Sequence, residues 1–317
     1  MNNEKAVMVV GSGGQDGRLL VDYFKERGWG ILALARGRTC LDGRELEAVD
    51  ILDAGAVARL VDRHRPARIY HLAAYHHSSE EILSGELDMF RHSYGVNLNS
   101  WIHCLEAVRL AGSGSRVFYA SSSRVFGETG ELCDEWTRVQ PACIYGLSKA
   151  AGMQAAGYYR TRWGIPAYCG ILFNHESKYR RAGFLSKKVV AAALAIRRGG
   201  PQRLEMADPD AGFDMSYAPD FIGAMDLLLE RAEPGNYVFA SGTRHTAQEL
   251  AETAFGLLGL DWRQHTDIGA AGVRTRPAAI GNPARLLSAT GWRASCDFSG
   301  MVRRLIEDEG GGGLILR

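Results

Sequence analysis

Residues 6–28 read AVMVVGSGGQDGRLLVDYFKERG. A five-residue apolar run, Ala6 to Val10, breaks into Gly11, Gly14 and Gly17. Arg18 to Gly28 then repeat apolar residues (Leu19, Leu20, Tyr23, Phe24) at helical spacing and stop at a glycine. Strand, glycine turn and helix in that order make a cradle for a pyrophosphate. The glycines let the backbone approach the phosphates, and the helix N-terminus offers N–H groups and the positive end of a dipole. The spacing is GxxGxxG, not the GxGxxG of the general dinucleotide fingerprint. Its position directly after a first apolar strand is what makes it informative. Gly11, Gly14, Gln15, Asp16 and Gly17 are the residues expected around the cofactor here.

Outward from this stretch the same alternation continues. The second strand, Ile31 to Ala35, ends at Arg36, with Arg38 close behind. An acid at this place would bond a ribose 2′-hydroxyl, whereas an arginine accommodates a 2′-phosphate, so the pattern favours NADP(H) over NAD. Val49 to Asp53 precede a helix reaching about Arg65, which puts Asp50 at a strand end within reach of an adenine amino group, with Ile51 beside it. A fourth strand, Arg68 to Ala74, closes on the small residues Ala73 and Ala74 after Leu72, leaving room for a cofactor ribose. Tyr75, His76 and His77 follow; the histidines either line a substrate site or sit in a wet loop. A helix over 88–111 containing Asn97, a strand over 116–120, a helix from about 143 to 163 and a strand over 165–172 complete the series. Strands alternating with helices predict an α/β fold with a doubly wound parallel sheet, the Rossmann arrangement. Residues 1–173 are expected to form the NADP-binding domain. Residues 174–317, where the rhythm weakens, are expected to form mainly a smaller α/β substrate domain, with some segments returning to the sheet.

The chemistry is concentrated in 118–149, FYASSSRVFGETGELCDEWTRVQPACIYGLSK. On a helix, Tyr145 and Lys149 share one face. A lysine beside a tyrosine favours the phenolate, so the phenol could exchange a proton with a carbinol near neutral pH. Ser122, at the end of the preceding strand, could hold the same oxygen. This set of groups suits moving a hydride on and off a carbinol carbon. A surface Tyr and Lys on an amphipathic helix is the plainer alternative for YxxxK alone.

Composition narrows the classes. With 317 residues and a formal net charge of +1 there is no basic excess for nucleic acid. No apolar run approaches the roughly 18–20 residues of a membrane span, so a cytoplasmic protein is expected. The six cysteines, at 40, 104, 133, 143, 169 and 296, have no metal-ligand spacing, and no metal site is expected.

The glycine turn GSGGQDG, the strand HLAA with His77 just beyond, GILFNHES at 170–177 and Gly291-Trp292 together resemble the GDP-mannose 4,6-dehydratase branch of the extended short-chain dehydrogenase/reductases. The resemblance runs from Ala6 to about Ile306. It implies a nucleotide-sugar substrate, GDP-linked, held between the two domains, and a homodimer or higher homo-oligomer. It also implies Ser122, Tyr145 and Lys149 as catalytic residues and Asn174, Lys188 and Arg276 near the substrate, while His76, His77, Ser123 and Arg124 are substrate candidates from their positions just beyond strand ends. The branch carries a glutamate in a string like STSELYG, as the base for the C5 proton. Here the string is SSSRVFG and Arg124 stands in that place, and a guanidinium cannot accept the proton. The family's RDW segment is replaced by Phe213-Asp214-Met215, and Ala279 or a neighbour stands where a ribose-binding glutamate would follow the RPA string. These departures favour an epimerase working through a 4-keto sugar. The alternatives are a 4,6-dehydratase drawing its base from His76 or His77, an NADPH-dependent 4-ketoreductase, and a non-catalytic nucleotide sensor.

Overall fold

The structure is a computed structural model that describes residues 5–76, 85–269 and 277–310. His77 and Arg276 lie outside the described residues. The chain begins with β1 (Ala6–Val10), α1 (Gln15–Glu26) and β2 (Gly30–Ala35), continues through the short strands β3 (Arg38–Leu41) and β4 (Arg44–Leu46), and resumes with α2 (Ala54–His64) and β5 (Arg68–His71). Next come α3 (Glu86–Tyr94), one π-helical turn over Gly95–Asn99, α4 (Ser100–Ala111), β6 (Arg116–Ser122), β7 (Leu132–Cys133) and α5 (Ile144–Trp163). β8 (Ala167–Leu172), β9 (Asn174–Glu176), α6 (Leu185–Arg197), β10 (Leu204–Met206), β11 (Gly212–Phe213), β12 (Met215–Tyr217) and α7 (Ala218–Arg231) follow. The remainder is β13 (Asn236–Phe239), β14 (His245–Thr246), α8 (Ala247–Leu257), β15 (Thr266–Ile268), β16 (Ile280–Gly281), α9 (Ala284–Thr290) and α10 (Phe298–Gly310).

One sheet organises the molecule, in the order β13-β8-β6-β5-β1-β2-β3-β4, parallel from β13 to β2. Its central strands are apolar on both faces because both faces are covered. Met8 and Val10 pack with Val57, Leu105 and Met153 of α2, α4 and α5. Val7 and Val9 point the other way, toward Leu20, Phe24, Phe221 and Leu286 of α1, α7 and α9. A further core, built by α6, α8, α10, β10 and β11, contains Val190, Leu250, Phe255 and Leu305. β13 joins the large sheet beside β8 even though residues 173–235 separate the two strands in the chain. The parallel ladder brings the C-terminal ends of β1, β5, β6 and β8 to one edge, which is where such sheets bind ligands.

The edge beyond β2 departs from the expected pattern. Asp50 does not end a strand: residues 47–50 are irregular, and its carboxylate accepts the Leu52 N–H in a local turn (2.9 Å). The chain instead doubles back twice. Ala35 pairs with Arg38 across a two-residue turn, and Leu41 with Arg44 across another, both antiparallel. The second turn is Asp42-Gly43, with φ of 48° and 83°, the left-handed pair that a twisted hairpin requires. Asp42 secures it by accepting the Ile31 N–H (2.6 Å). A helix over 88–111 is also interrupted, by the π turn that contains Asn97. Among the described residues no helix is long and apolar enough to cross a membrane.

Candidate active site

The site forms where β6 gives way to α5. β6 ends at Ser122, and a 3-10 turn over Ser123–Phe126 follows at once. α5 starts after Cys143, whose thiol accepts the Gly146 N–H (3.4 Å), and ends at Gly164 in the left-handed region. Tyr145 therefore lies in the first turn and Lys149 one turn further on. Ser122 bonds the Tyr145 phenol, and its Oγ also accepts the Arg124 N–H at 3.3 Å. The three residues expected to carry the hydride chemistry are thus brought together.

Their electrostatics differ from the sequence expectation. Burial pushes the Tyr145 phenol up to about 12, against the opposing pull of the Ser122 hydrogen bond and the Arg180 charge. The Lys149 ammonium has a backbone partner. It donates to the Ala120 carbonyl (2.8 Å) and lies 5.7 Å from the centre of the Tyr145 ring. Lys149 is 1% exposed, and burial lowers its pKa to about 7. A further cation, Arg180 in the turn after β9, favours the phenolate. It pairs with Glu176 at 3.2 Å and lies over the Phe184 ring at 3.7 Å. Glu176 and Arg180 four residues apart were the available signal. Beneath the site, His71 is held neutral, its pKa depressed to about 3 by burial and by the neighbouring lysine.

Asn97 acts as a structural clamp under this edge. Its side chain accepts the Tyr75 N–H (2.8 Å) and donates to Ser148 Oγ (2.9 Å), while its carbonyl accepts the Tyr119 hydroxyl (2.7 Å). The π turn is what aims these groups, as single π turns often do at functional positions.

The glycine turn passes the test for a dinucleotide. A Cβ at Gly17 would lie 2.2 Å from the Gly11 carbonyl oxygen, and one at Gly11 would lie 2.6 Å from the Ala73 nitrogen. Only glycine allows this turn to close against the end of β5. Gly14 occupies the N-cap of α1 without a side-chain cap, leaving the helix end for a phosphate. Ala73 is buried against the turn, Leu72 is half-buried and Ala74 is exposed. The side chains of Gln15 and Asp16, however, are engaged elsewhere. Gln15 donates to the His175 carbonyl (3.0 Å) and accepts from Ser177 Oγ (3.0 Å), and Asp16 binds His175 Nε2 at 3.0 Å. They tie the glycine turn to β9 and the residue after it. Arg36 occupies the β2–β3 turn, and Arg38 pairs with Glu45 at 3.1 Å within the hairpin. Asp50 is exposed and Ile51 half-buried; the Ile51 carbonyl contacts His103 Nδ1 at 2.9 Å.

Of the residues expected near the substrate, His76 is the most firmly placed. Its ring meets Tyr145 edge-on at 4.6 Å and stacks on Phe184 at 5.9 Å, and its carbonyl accepts from Arg181 (3.3 Å). Arg124 is exposed in the 3-10 turn after Ser122, Ser123 is half-buried beside it, Asn174 is exposed at the start of β9, and Lys188 is half-buried on α6. Asp214 belongs to the framework. Its buried carboxylate accepts from Ser241, Gly242 and Gly281 at 2.7–3.1 Å, while Phe213 and Met215 on either side are buried.

The sheet order, the glycine turn and the Ser122–Tyr145–Lys149 arrangement define an extended short-chain dehydrogenase/reductase enzyme. Within that class the chain belongs to the GDP-mannose 4,6 dehydratase family, whose sequence profile matches residues 8–305. It is 28% identical to GDP-mannose 4,6 dehydratase 1 of Arabidopsis thaliana, over 96% of this chain and 90% of that protein. It is 27% identical to the GDP-mannose 4,6-dehydratase of Sinorhizobium fredii, over 82% and 78% of the two chains. The fold is shared with UDP-glucose 4-epimerase of Thermus thermophilus in complex with NAD (TM-score 0.80, 23% identity, 97% and 99% of the chains). It is also shared with RMD from Pseudomonas aeruginosa complexed with NADPH (TM-score 0.81, 21% identity, 96% and 97%).

Proposed function

We propose that the protein acts on a GDP-linked sugar at C4, with NADP(H), as an epimerase that passes through a 4-keto sugar. The observation that carries this reading is Arg124. The 3-10 turn after Ser122 sets an exposed guanidinium, permanently protonated, where the resemblance calls for a carboxylate base. Such a group can hold a phosphate or sugar oxygen but cannot remove a C5 proton. Without that removal, water does not leave from C6.

Gly11, Gly14 and Gly17 would hold the pyrophosphate, with Arg36 on the turn after β2, at the adenosine end. When bound, an oxidised nicotinamide would supply the acceptor for the sugar's C4 hydride and, once reduced, the hydride that returns to the opposite face of the 4-keto sugar. Tyr145 takes the C4 hydroxyl proton, with Ser122 fixing the direction of its oxygen and Arg180 favouring its charged form. Lys149, one turn further along α5 with its pKa lowered to about 7, would balance that charge in its protonated form. In this reading Asn174, Lys188 and Arg124 would contact the nucleotide sugar.

A second reading is supported by the His76 ring, 4.6 Å from that of Tyr145, which could take a C5 proton and make the protein a 4,6-dehydratase. The two readings separate on the mass of the product formed from GDP-mannose and related sugars. Unchanged mass is expected. Loss of one water would establish the dehydratase instead, and gain of two hydrogens with NADPH would establish a ketoreductase. The same reading gives the protein a second copy of itself as partner, through α4 and α5, whose outer faces expose Leu110, Tyr158 and Trp163.

A further inference from the structure

A groove of about 1040 Å³ runs along the side of α1, from the glycine turn to the far edge of the sheet. It follows from the two-residue turn after β2. A parallel continuation would need a crossover of a dozen or more residues, usually a helix lying on the sheet. Here β3 folds back antiparallel instead, and the outer face of β2 (Ala33, Ala35) lines the groove.

At its upper end the groove meets the place where a dinucleotide's adenosine ribose lies, between the glycine turn and the end of β2. A Cβ at Gly13 would be 3.5 Å from that of Ala35, so the turn directly abuts the strand end. Arg18, projecting from α1, lines the groove beside Gly13 and donates through Nε to the Gly13 carbonyl (3.1 Å). Its guanidinium lies 5.4 Å from the centre of the Tyr179 ring. Two contacts thus hold the guanidinium plane, and its Nη groups remain for a ligand at the strand end. Ser12 lines the same end and brings a hydroxyl. Arg38 lines it too, but is paired with Glu45.

We propose that Arg18 is the residue that selects for a ribose 2′-phosphate, gripping it with its Nη groups while Nε stays on Gly13. The inference rests on the NADP reading and assigns the selection to α1 in place of the arginines after β2. A guanidinium fits a phosphate with paired, charge-assisted hydrogen bonds, and one already fixed in direction loses little freedom on binding. Arg38 contributes less, because binding a phosphate would cost it Glu45.

The test is calorimetric titration of the full chain with adenosine 2′,5′-bisphosphate and with 5′-AMP. Their affinity ratio isolates the 2′-phosphate. In the unaltered protein the bisphosphate should bind tighter by about tenfold or more. Arg18→Met should bring the ratio close to one with 5′-AMP affinity unchanged, which also shows that the turn is intact. Arg38→Met should keep most of the ratio. If Arg18→Met also loses 5′-AMP, then Arg18→Gln, which retains a donor for Gly13 without the charge, should show the same collapse. A preference for the bisphosphate that survives both Arg18 variants overturns the assignment and leaves the NADP reading standing. Equal binding of the two nucleotides by the unaltered protein overturns both.

Discussion

At the scale of single residues, the site depends on a lysine kept in an unfavourable place. Lys149 is completely buried, with one carbonyl partner, and its pKa falls from 10.5 to about 7. The unfolded chain therefore binds more protons than the folded one between those values, so this lysine's penalty on stability is full below about pH 7. It is relieved as pH rises toward 10.5. At about 1.4 kcal/mol per pKa unit, the penalty amounts to a few kcal/mol. Lys149→Met removes it while keeping most of the volume. The variant is expected to be inactive, with a higher Tm than the unaltered protein at pH 6 and a Tm difference that shrinks steadily toward pH 10. Thermal melts across that range decide it: a difference independent of pH would mean that Lys149 stays charged in the folded state. The residue identities of this site were legible in the sequence, because Ser122, Tyr145 and Lys149 follow from one strand end and one i, i+4 spacing. The electrostatics were not. A lysine beside a tyrosine suggests a depressed phenol, but the carbonyl of Ala120 and the depth of burial come from β6 and the helices packed over it.

At the scale of elements, local chemistry explains both what could be foreseen and what was missed. The glycine turn and the helix of Tyr145 carry their signals within a dozen residues, and both form where expected. The hairpin of β3 and β4 carried one as well, in Asp42-Gly43, but the expectation of a parallel third strand set it aside. The contact between α1 and β9 had no local signal, since Asp16 and His175 are 159 residues apart. Burial alone would neutralise both groups, and their mutual attraction overcomes it. It holds the Asp16 carboxyl below its usual range and raises the His175 imidazole above its own. The histidine's contribution to stability is full below about pH 6.5 and is lost as pH rises through its raised value. The carboxylate's contribution is present above about 3.8 and lost as pH falls through its lowered value. The pair is therefore strongest near pH 5. His175→Ala would leave a carboxylate only 18% exposed without its partner, and should cost roughly 3 kcal/mol at that pH, at the lower end for a broken buried pair. Asp16→Asn should cost less, with a loss that narrows above neutrality. Urea denaturation at pH 5 and pH 8.5 measures both. Equal losses at the two values would show that the pair is not ionised.

At the scale of the whole molecule, the face built by α4 and α5 exposes the large side chains Leu110, Tyr158 and Trp163. Exposed apolar side chains scattered singly need no explanation, but these are gathered. Trp163 lies between two guanidinium groups, 4.8 Å from that of Arg109 and 4.7 Å from that of Arg162, and Leu110 follows Arg109 on α4. Tyr158 packs edge-on against Tyr159, whose hydroxyl reaches Glu106 on α4 (2.5 Å). Aromatic rings and arginines on two adjacent, rigid helices are the composition of an interface centre rather than of a solvated face. Applied to itself about a two-fold axis, the surface would bring two pairs of helices together, and a stable contact of this kind buries about 1,600 Å² in total. The protein should therefore sediment as a dimer at micromolar concentration. Tyr158→Glu should shift it to monomer, because it would bury a carboxylate at the centre of the contact. Tyr145 and Lys149 are reached from the opposite end of α5, so the monomer should still bind cofactor. Analytical ultracentrifugation and cofactor titration on the same samples give both answers. A monomeric unaltered protein, or a Tyr158→Glu variant that remains dimeric, would move the partner surface away from α4 and α5.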